Sequence, residues 1–132
     1  MNTKAYTIVL GASENPERYA NKAIKLLLKH DQPIIAIGNK SGRVEDIEFI
    51  NTDLDQIIRR FDSSVTEKAD TVTLYLGPTN QEVYYGFILA LRPRRIIFNP
   101  GTENKALVQL AEAQGIVCED SCTLVLLNLG EY

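Results

Sequence analysis

The chain has 132 residues, of which 45% are hydrophobic and 23% are charged. This length is typical of one globular domain, and the apolar content excludes a disordered chain. The formal net charge of −3 disfavours general binding of nucleic acid, which requires clustered Lys and Arg. We therefore expect residues 1–132 to form a single domain that does not bind nucleic acid.

The composition also bears on the cell compartment. Cys118 and Cys122 are too few for a disulfide framework. No apolar run reaches the roughly 18 residues that a membrane-spanning helix needs. We expect a cytoplasmic protein with reduced thiols and no membrane association.

The N-terminal part of the sequence predicts a strand, a helix and a second strand. Residues 6–10 are an apolar, β-branched run, which is typical of a buried strand. Asn15 followed by Pro16 predicts a helix start, and the helical spacing of apolar residues continues to an end near His30. Residues 34–37 predict the second strand.

The middle of the chain is less regular. Residues 47–49 predict a short edge strand, and Asp53 is placed to cap a brief helix. Residues 71–76 predict the third main strand. Thr79 and Glu82 have the spacing of a capping box and predict the start of the next helix.

The C-terminal part repeats the alternation. Residues 95–98 predict a strand, Thr102 is placed to cap the following helix, and Gly115 closes that helix. Residues 116–118 predict a last short strand. Residues 123–129 are apolar and fit either a closing helix or an edge element, which could form part of the core or a homo-oligomer interface.

Alternating strands and helices predict a Rossmann-like three-layer α/β fold with a mostly parallel sheet of about five strands. Such folds bind ligands at the carboxyl ends of the strands. Gly11, Gly38 and Gly77 follow predicted strands, and residues 99–101, Asn-Pro-Gly, follow another. A tight turn explains any one glycine, but their joint placement at one edge favours a binding crevice.

The first of these turns, residues 11–16, is suited to a diphosphate through its main-chain N–H groups and the start of the helix. An NAD site would place Asp or Glu after the second strand. Here Asn39 and Lys40 follow it, with Arg43 nearby. Lys40 and Arg43 suit a ribose phosphate, as in NADP or coenzyme A (CoA), although a solvated loop explains these two cations equally well.

The turn Gly11-Ala12-Ser13 with Pro16, the segment Asn99-Pro100-Gly101-Thr102-Glu103-Asn104 and the late Cys122 together resemble the small CoA-binding proteins. The fold of that family is similar to the N-terminal CoA-binding domain of the succinyl-CoA synthetase alpha subunit. The resemblance covers nearly the whole chain. It implies a Rossmann-like domain that binds CoA or an acyl-CoA at the strand ends.

The resemblance also implies contact residues. Those expected near the diphosphate are Gly11, Ala12, Ser13, Asn15 and Pro16. Those expected after the second strand, toward the adenosine, are Asn39 and Lys40. The position of Gly38 at the strand end and the charge of Arg43 add these two residues to the expected contacts. The later loops contribute Gly77, Pro78, Asn99, Pro100 and Gly101, with Cys122 as a contact for the thiol arm. The chain departs from the family pattern at residues 38–40, where the family often has Asn-Pro, and at Asn99, where it often has Gln.

Catalysis by this chain is not expected. The synthetase that it resembles uses a phosphorylated histidine outside its CoA domain, whereas His30 is expected at the helix end opposite the crevice. The cysteines lack the spacing of a metal site. We therefore favour binding of CoA without catalysis. An NADP- or NAD-binding reductase or redox sensor, and an interaction domain without a ligand, remain alternatives.

Overall fold

The computed structural model describes residues 3–132, and its centre is a seven-stranded sheet. The strands are β1 (Lys4–Leu10), β2 (Ile34–Ile37), β3 (Arg43–Val44), β4 (Ile47–Ile50), β5 (Glu67–Leu74), β6 (Arg95–Phe98) and β7 (Val117–Asp120). Their order is β3-β4-β2-β1-β5-β6-β7, and only the β3–β4 pair is antiparallel. The predicted mostly parallel sheet is confirmed, but about five strands is too few. The two-residue strand β3 was missed because it is too short to show a pattern.

Helices cover both faces of this sheet. They are α1 (Tyr19–Lys29), α2 (Leu54–Ser63), α3 (Pro78–Gln81), α4 (Tyr85–Leu91), α5 (Lys105–Glu112) and α6 (Thr123–Leu129). A 3-10 turn, Glu82–Tyr84, joins α3 to α4. Residues 123–129, left open by the sequence, therefore form a closing helix. Among the described residues, no helix has the length and apolar content needed to cross a bilayer.

The alternation of side chains along β1 builds the three layers. Ile8 and Leu10 point to the face covered by α2, α4 and α5, whereas Val9 points to the face covered by α1 and α6. All three side chains are completely buried. Because β1, β2, β5 and β6 are parallel and adjacent, their carboxyl ends meet at one edge of the sheet, as the sequence predicts.

Helix α1 begins later than predicted. The Asn15 side chain accepts the Glu17 N–H at 3.0 Å, but this forms only an isolated turn. Arg18 then adopts extended backbone, with φ −78° and ψ 142°, and α1 begins at Tyr19. The predicted end is confirmed, since His30 is the C-cap.

Three other predicted side-chain caps do not form. Asp53 occupies the N-cap position of α2, but its side chain makes no capping hydrogen bond. Helix α3 begins at Pro78 without a side-chain cap, so Thr79 and Glu82 form no capping box. Helix α5 is capped by Asn104, which accepts the Leu107 N–H at 3.2 Å. The Thr102 hydroxyl instead donates to the Asn99 carbonyl, in the loop before this helix.

Candidate functional site

A cleft of about 510 Å³ lies at the carboxyl ends of β1, β2 and β5. It is bounded by the loop after β1, the first residues of α1, the loop after β2 and residues that follow β5 and β6. It is lined by these predicted contact residues: Gly11, Ala12, Ser13, Asn15, Asn39, Lys40 and Pro100.

Other predicted contacts do not line this cleft. They are Pro16, Gly38, Arg43, Gly77, Pro78, Asn99, Gly101 and Cys122. Strand β5 ends at Leu74, two residues before the predicted end, so Gly77 lies farther along the loop than expected. Cys122 stands immediately before α6, and Arg43 is the first residue of β3.

The sequence interpretation missed several lining residues. They are Glu14, Arg18, Tyr19, Ala20, Ser41, Phe49, Tyr75, Leu76 and Thr102. Most adjoin predicted positions, so extending each motif by one or two residues would have found them. Tyr75 and Leu76 fall within the third predicted strand, whereas in the structure they follow β5.

The loop after β1 is joined directly to β2. The main-chain N–H groups of Gly11 and Ala12 both donate to the Ile37 carbonyl at 2.9 Å. These two donors are therefore engaged within the fold, contrary to their expected role toward a diphosphate. Within residues 3–132, the N–H groups of Ser13 and Glu14 make no hydrogen bond.

Asn21, in the first turn of α1, is bonded to the loop after β1. Its side chain is 3% exposed, and its Nδ2 donates to the Ser13 carbonyl at 3.0 Å. The Ser13 hydroxyl accepts the Asn15 N–H at 3.1 Å. The loop is thus held in one shape by its own side chains and by the helix that follows.

Gly11 is required by the backbone. Its φ of +101° is a conformation that side chains rarely permit. A Cβ at this position would also lie 3.1 Å from the Tyr75 carbonyl carbon and from Leu76 Cδ2. Ala12 is therefore the better position for a substitution that blocks the cleft.

Cations and one carboxylate line the cleft. Arg18 and Lys40 are exposed side chains on opposite loops. Glu14 Oε2 accepts the main-chain N–H of Arg43 at 2.9 Å. The Arg43 guanidinium donates to the Glu45 carbonyl at 3.0 Å, and Arg43 does not line the cleft.

The cleft also has an apolar part, formed by Phe49, Tyr75 and Leu76. Burial raises the pKa of Tyr75 to about 12. The hydroxyl is therefore protonated at neutral pH, and the ring presents an uncharged surface.

Asn99 connects β5, β6 and α6 behind the cleft. Its Nδ2 donates to Thr73 Oγ1 at 2.6 Å and to the Leu74 carbonyl at 2.8 Å. Its Oδ1 accepts the Thr123 N–H at 2.9 Å. The residue is 2% exposed. Both amide hydrogens are used, so Asn99 is a structural connector here.

Gln81 positions two lining residues. It is completely buried, and its Nε2 donates to the carbonyls of Leu76 and Thr102, both at 2.8 Å. Its Oε1 accepts from Asn104 Nδ2 at 2.9 Å. The sequence motif that ends at Asn104 therefore joins the loops after β5 and β6.

The remaining reactive groups lie elsewhere. His30 is exposed at the opposite end of α1, about 15 Å from the first turn of this helix. Cys118 and Cys122 are unpaired, and burial raises the pKa of the Cys118 thiol to about 11. In the part of the chain that the structure describes, no three His, Cys, Asp or Glu side chains are grouped to hold a metal.

Comparison with known proteins gives a match to a family model described as a CoA binding domain, over residues 6–128. A crystal structure of an uncharacterized protein is 40% identical, covers 99% of this chain and 100% of that chain, and has a TM-score of 0.84. A hypothetical protein from Pyrococcus horikoshii OT3 is 23% identical. The match covers 90% of this chain and 78% of that chain, with a TM-score of 0.74. A protein from Thermus thermophilus is 18% identical. The match covers 98% of this chain and 91% of that chain, with a TM-score of 0.78. These last two show the shared fold alone. The curated proteins give no significant match.

Proposed function

Because the chain belongs to the CoA binding domain family, we propose that it binds CoA in the cleft after β1, β2 and β5. One observation carries this proposal: the loop after β1 and Lys40, which follows β2, line the same cleft. The volume of about 510 Å³ is within the range of small-molecule sites.

The charged part of CoA fits the polar end of this cleft. The free N–H groups of Ser13 and Glu14 and the Arg18 guanidinium are suited to the diphosphate. Lys40, on the loop after β2, lines the same cleft, which supports a contact with the 3′-phosphate on the ribose. Binding of the unphosphorylated ribose of NAD would favour an acidic residue directly after β2, and the sequence has none there.

The pantetheine arm fits the apolar part. Tyr75 and Leu76 offer uncharged surface, and Pro100 and Thr102 bound the cleft on the β6 side. We propose a binding role rather than a chemical one, because His30 and Cys118 both lie outside the cleft. An acyl-CoA is compatible with the same arrangement.

NADP is a second candidate, and Lys40 is the observation that favours it. A lysine after the second strand suits a 2′-phosphate as well as a 3′-phosphate. Titration with CoA and with NADP separates the two, and the proposal expects tighter binding of CoA.

The test is a calorimetric cycle. CoA and 3′-dephospho-CoA are titrated into the wild-type protein and into Lys40→Ala. A charged hydrogen bond contributes roughly 1.5–3 kcal/mol, and the exposure of Lys40 favours the lower limit, so we expect about a tenfold loss for CoA. Binding of 3′-dephospho-CoA should barely change.

Lys25→Ala is the matched control, because Lys25 is exposed on α1 but does not line the cleft. It removes the same charge and should leave both affinities unchanged. Equal losses for the two ligands in Lys40→Ala would show that Lys40 does not contact the phosphate. Absence of CoA binding by the wild-type protein would refute the proposed function.

A further inference from the structure

The Glu14 side chain extends between two loops at the polar end of the cleft. It belongs to the loop after β1, and its Oε2 accepts the main-chain N–H of Arg43, at the start of β3, at 2.9 Å. This contact joins the loop expected at the diphosphate to the segment expected at the ribose.

Gly42 provides the space for this contact. A Cβ at this position would lie 2.8 Å from both Cγ and Cδ of Glu14. The backbone of Gly42 lies outside the left-handed region, so its conformation does not itself require glycine. The missing side chain at Gly42 allows Glu14 to lie where it does.

The position of Glu14 matters because of its charge. Arg18 and Lys40 bring two positive charges to the cleft, and Glu14 brings one negative charge to the same cleft. Its carboxylate occupies a main-chain N–H that could otherwise donate to an anion. A phosphate that binds in the same cleft is repelled by this carboxylate.

We propose that Glu14 determines the selectivity of the cleft by lowering its affinity for ligands that carry a ribose phosphate. CoA meets this repulsion at both its diphosphate and its 3′-phosphate, whereas a ligand without the 3′-phosphate meets only the first part of it. This inference rests on the proposed function and adds a residue that opposes the action of Lys40.

Glu14→Gln separates the charge from the contact, because its amide oxygen can still accept the Arg43 N–H. Glu17→Gln is the matched control: it causes the same change in net charge, and Glu17 is exposed and does not line the cleft. Both variants and the wild type are titrated by calorimetry with CoA and with 3′-dephospho-CoA. For Glu14→Gln we expect CoA to bind about threefold to tenfold more tightly. The gain for 3′-dephospho-CoA should be smaller than the gain for CoA, and both affinities of Glu17→Gln should change less than twofold.

The Arg43 amide signal in ¹⁵N–¹H spectra provides an independent measurement. We expect it to shift in Glu14→Ala relative to the free wild type, because the hydrogen bond is lost. An unchanged Arg43 signal would show that the contact does not form in solution, and would overturn the inference.

The remaining outcomes are distinct. Weaker CoA binding by Glu14→Gln would mean that Glu14 accepts a hydrogen bond from the ligand, which overturns the inference. Equal gains for both ligands would exclude an effect specific to the ribose phosphate. If the wild type binds CoA and Glu14→Gln is unaltered, only the role of Glu14 fails. If the wild type binds no CoA, the proposed function fails and this inference fails with it.

Discussion

Asn99 provides a test that distinguishes a structural residue from a ligand contact. The sequence placed it among the ligand contacts, but the structure buries it behind the cleft, where it bonds to Thr73, Leu74 and Thr123. Asn99→Ala removes all three hydrogen bonds and leaves the Thr123 N–H and the Leu74 carbonyl without this partner. We therefore expect a loss of stability.

The magnitude follows from the hydrogen bonds. Each neutral hydrogen bond contributes about 1 kcal/mol net, and a buried group left unpaired costs at least as much. Three bonds therefore predict a loss of about 3 kcal/mol in the free energy of unfolding. Native domains are stable by about 5–15 kcal/mol, so this loss is large.

Urea denaturation followed by circular dichroism measures this loss. Asn80→Ala is the control, because Asn80 is exposed on α3. It should change the free energy of unfolding by less than about 0.5 kcal/mol. A loss below about 1 kcal/mol in Asn99→Ala would refute the structural role. Weakened CoA binding at unchanged stability would instead support the ligand contact that the sequence suggested.

Three further predictions concern titratable groups. His30→Ala should bind CoA within twofold of the wild type by calorimetry, because His30 lies at the far end of α1; a larger loss in the folded variant would contradict the placement of the cleft. Burial opposes ionisation of Asp70, but hydrogen bonds from Arg94 and Thr71 outweigh it and lower the pKa of Asp70. The ionised Asp70 therefore stabilises the fold at neutral pH, and Asp70→Asn should lose about 0.5–1 kcal/mol there. This difference should shrink as the pH falls below about 4, and a difference independent of pH in urea denaturation would refute it. Burial raises the pKa of Cys118 to about 11, so its alkylation by iodoacetamide at pH 8 should be at least about tenfold slower than that of free cysteine. A rate equal to that of free cysteine by mass spectrometry would contradict this.

The sequence predicts the main strands well because burial dictates their composition. Strand β2 consists entirely of buried residues, and its short, β-branched apolar run between Pro33 and Gly38 favours a strand. The sequence also identifies the edge at which the cleft lies, since parallel strands bring their carboxyl ends together. The resemblance to the family rests on the turn at residues 11–16 and on the Pro-Gly-x-Glu-Asn motif at residues 100–104.

The failures arise where side chains had more than one possible partner. Asn15 caps a single turn, and the extended backbone of Arg18 delays the helix. Thr102 bonds to the loop before it and leaves the cap of α5 to Asn104. No local pattern distinguishes these outcomes, because tertiary contacts decide them.

Site residues were missed for a related reason. A side chain such as Glu14 reaches a residue far along the chain, and only the pairing of β3 with β4 brings Arg43 within its reach. The use of the Gly11 and Ala12 N–H groups by Ile37 likewise depends on the order of the strands. The sequence could therefore locate the cleft but not assign its donors.

The central claim is that CoA binds in the cleft after β1, β2 and β5. Titration of the ¹⁵N-labelled protein with CoA, followed through its amide signals, tests this most directly. The account predicts saturable shifts at one-to-one stoichiometry, concentrated at Ser13, Glu14, Lys40 and Leu76. Shifts confined to other surfaces, or an unchanged spectrum at millimolar CoA, would contradict it.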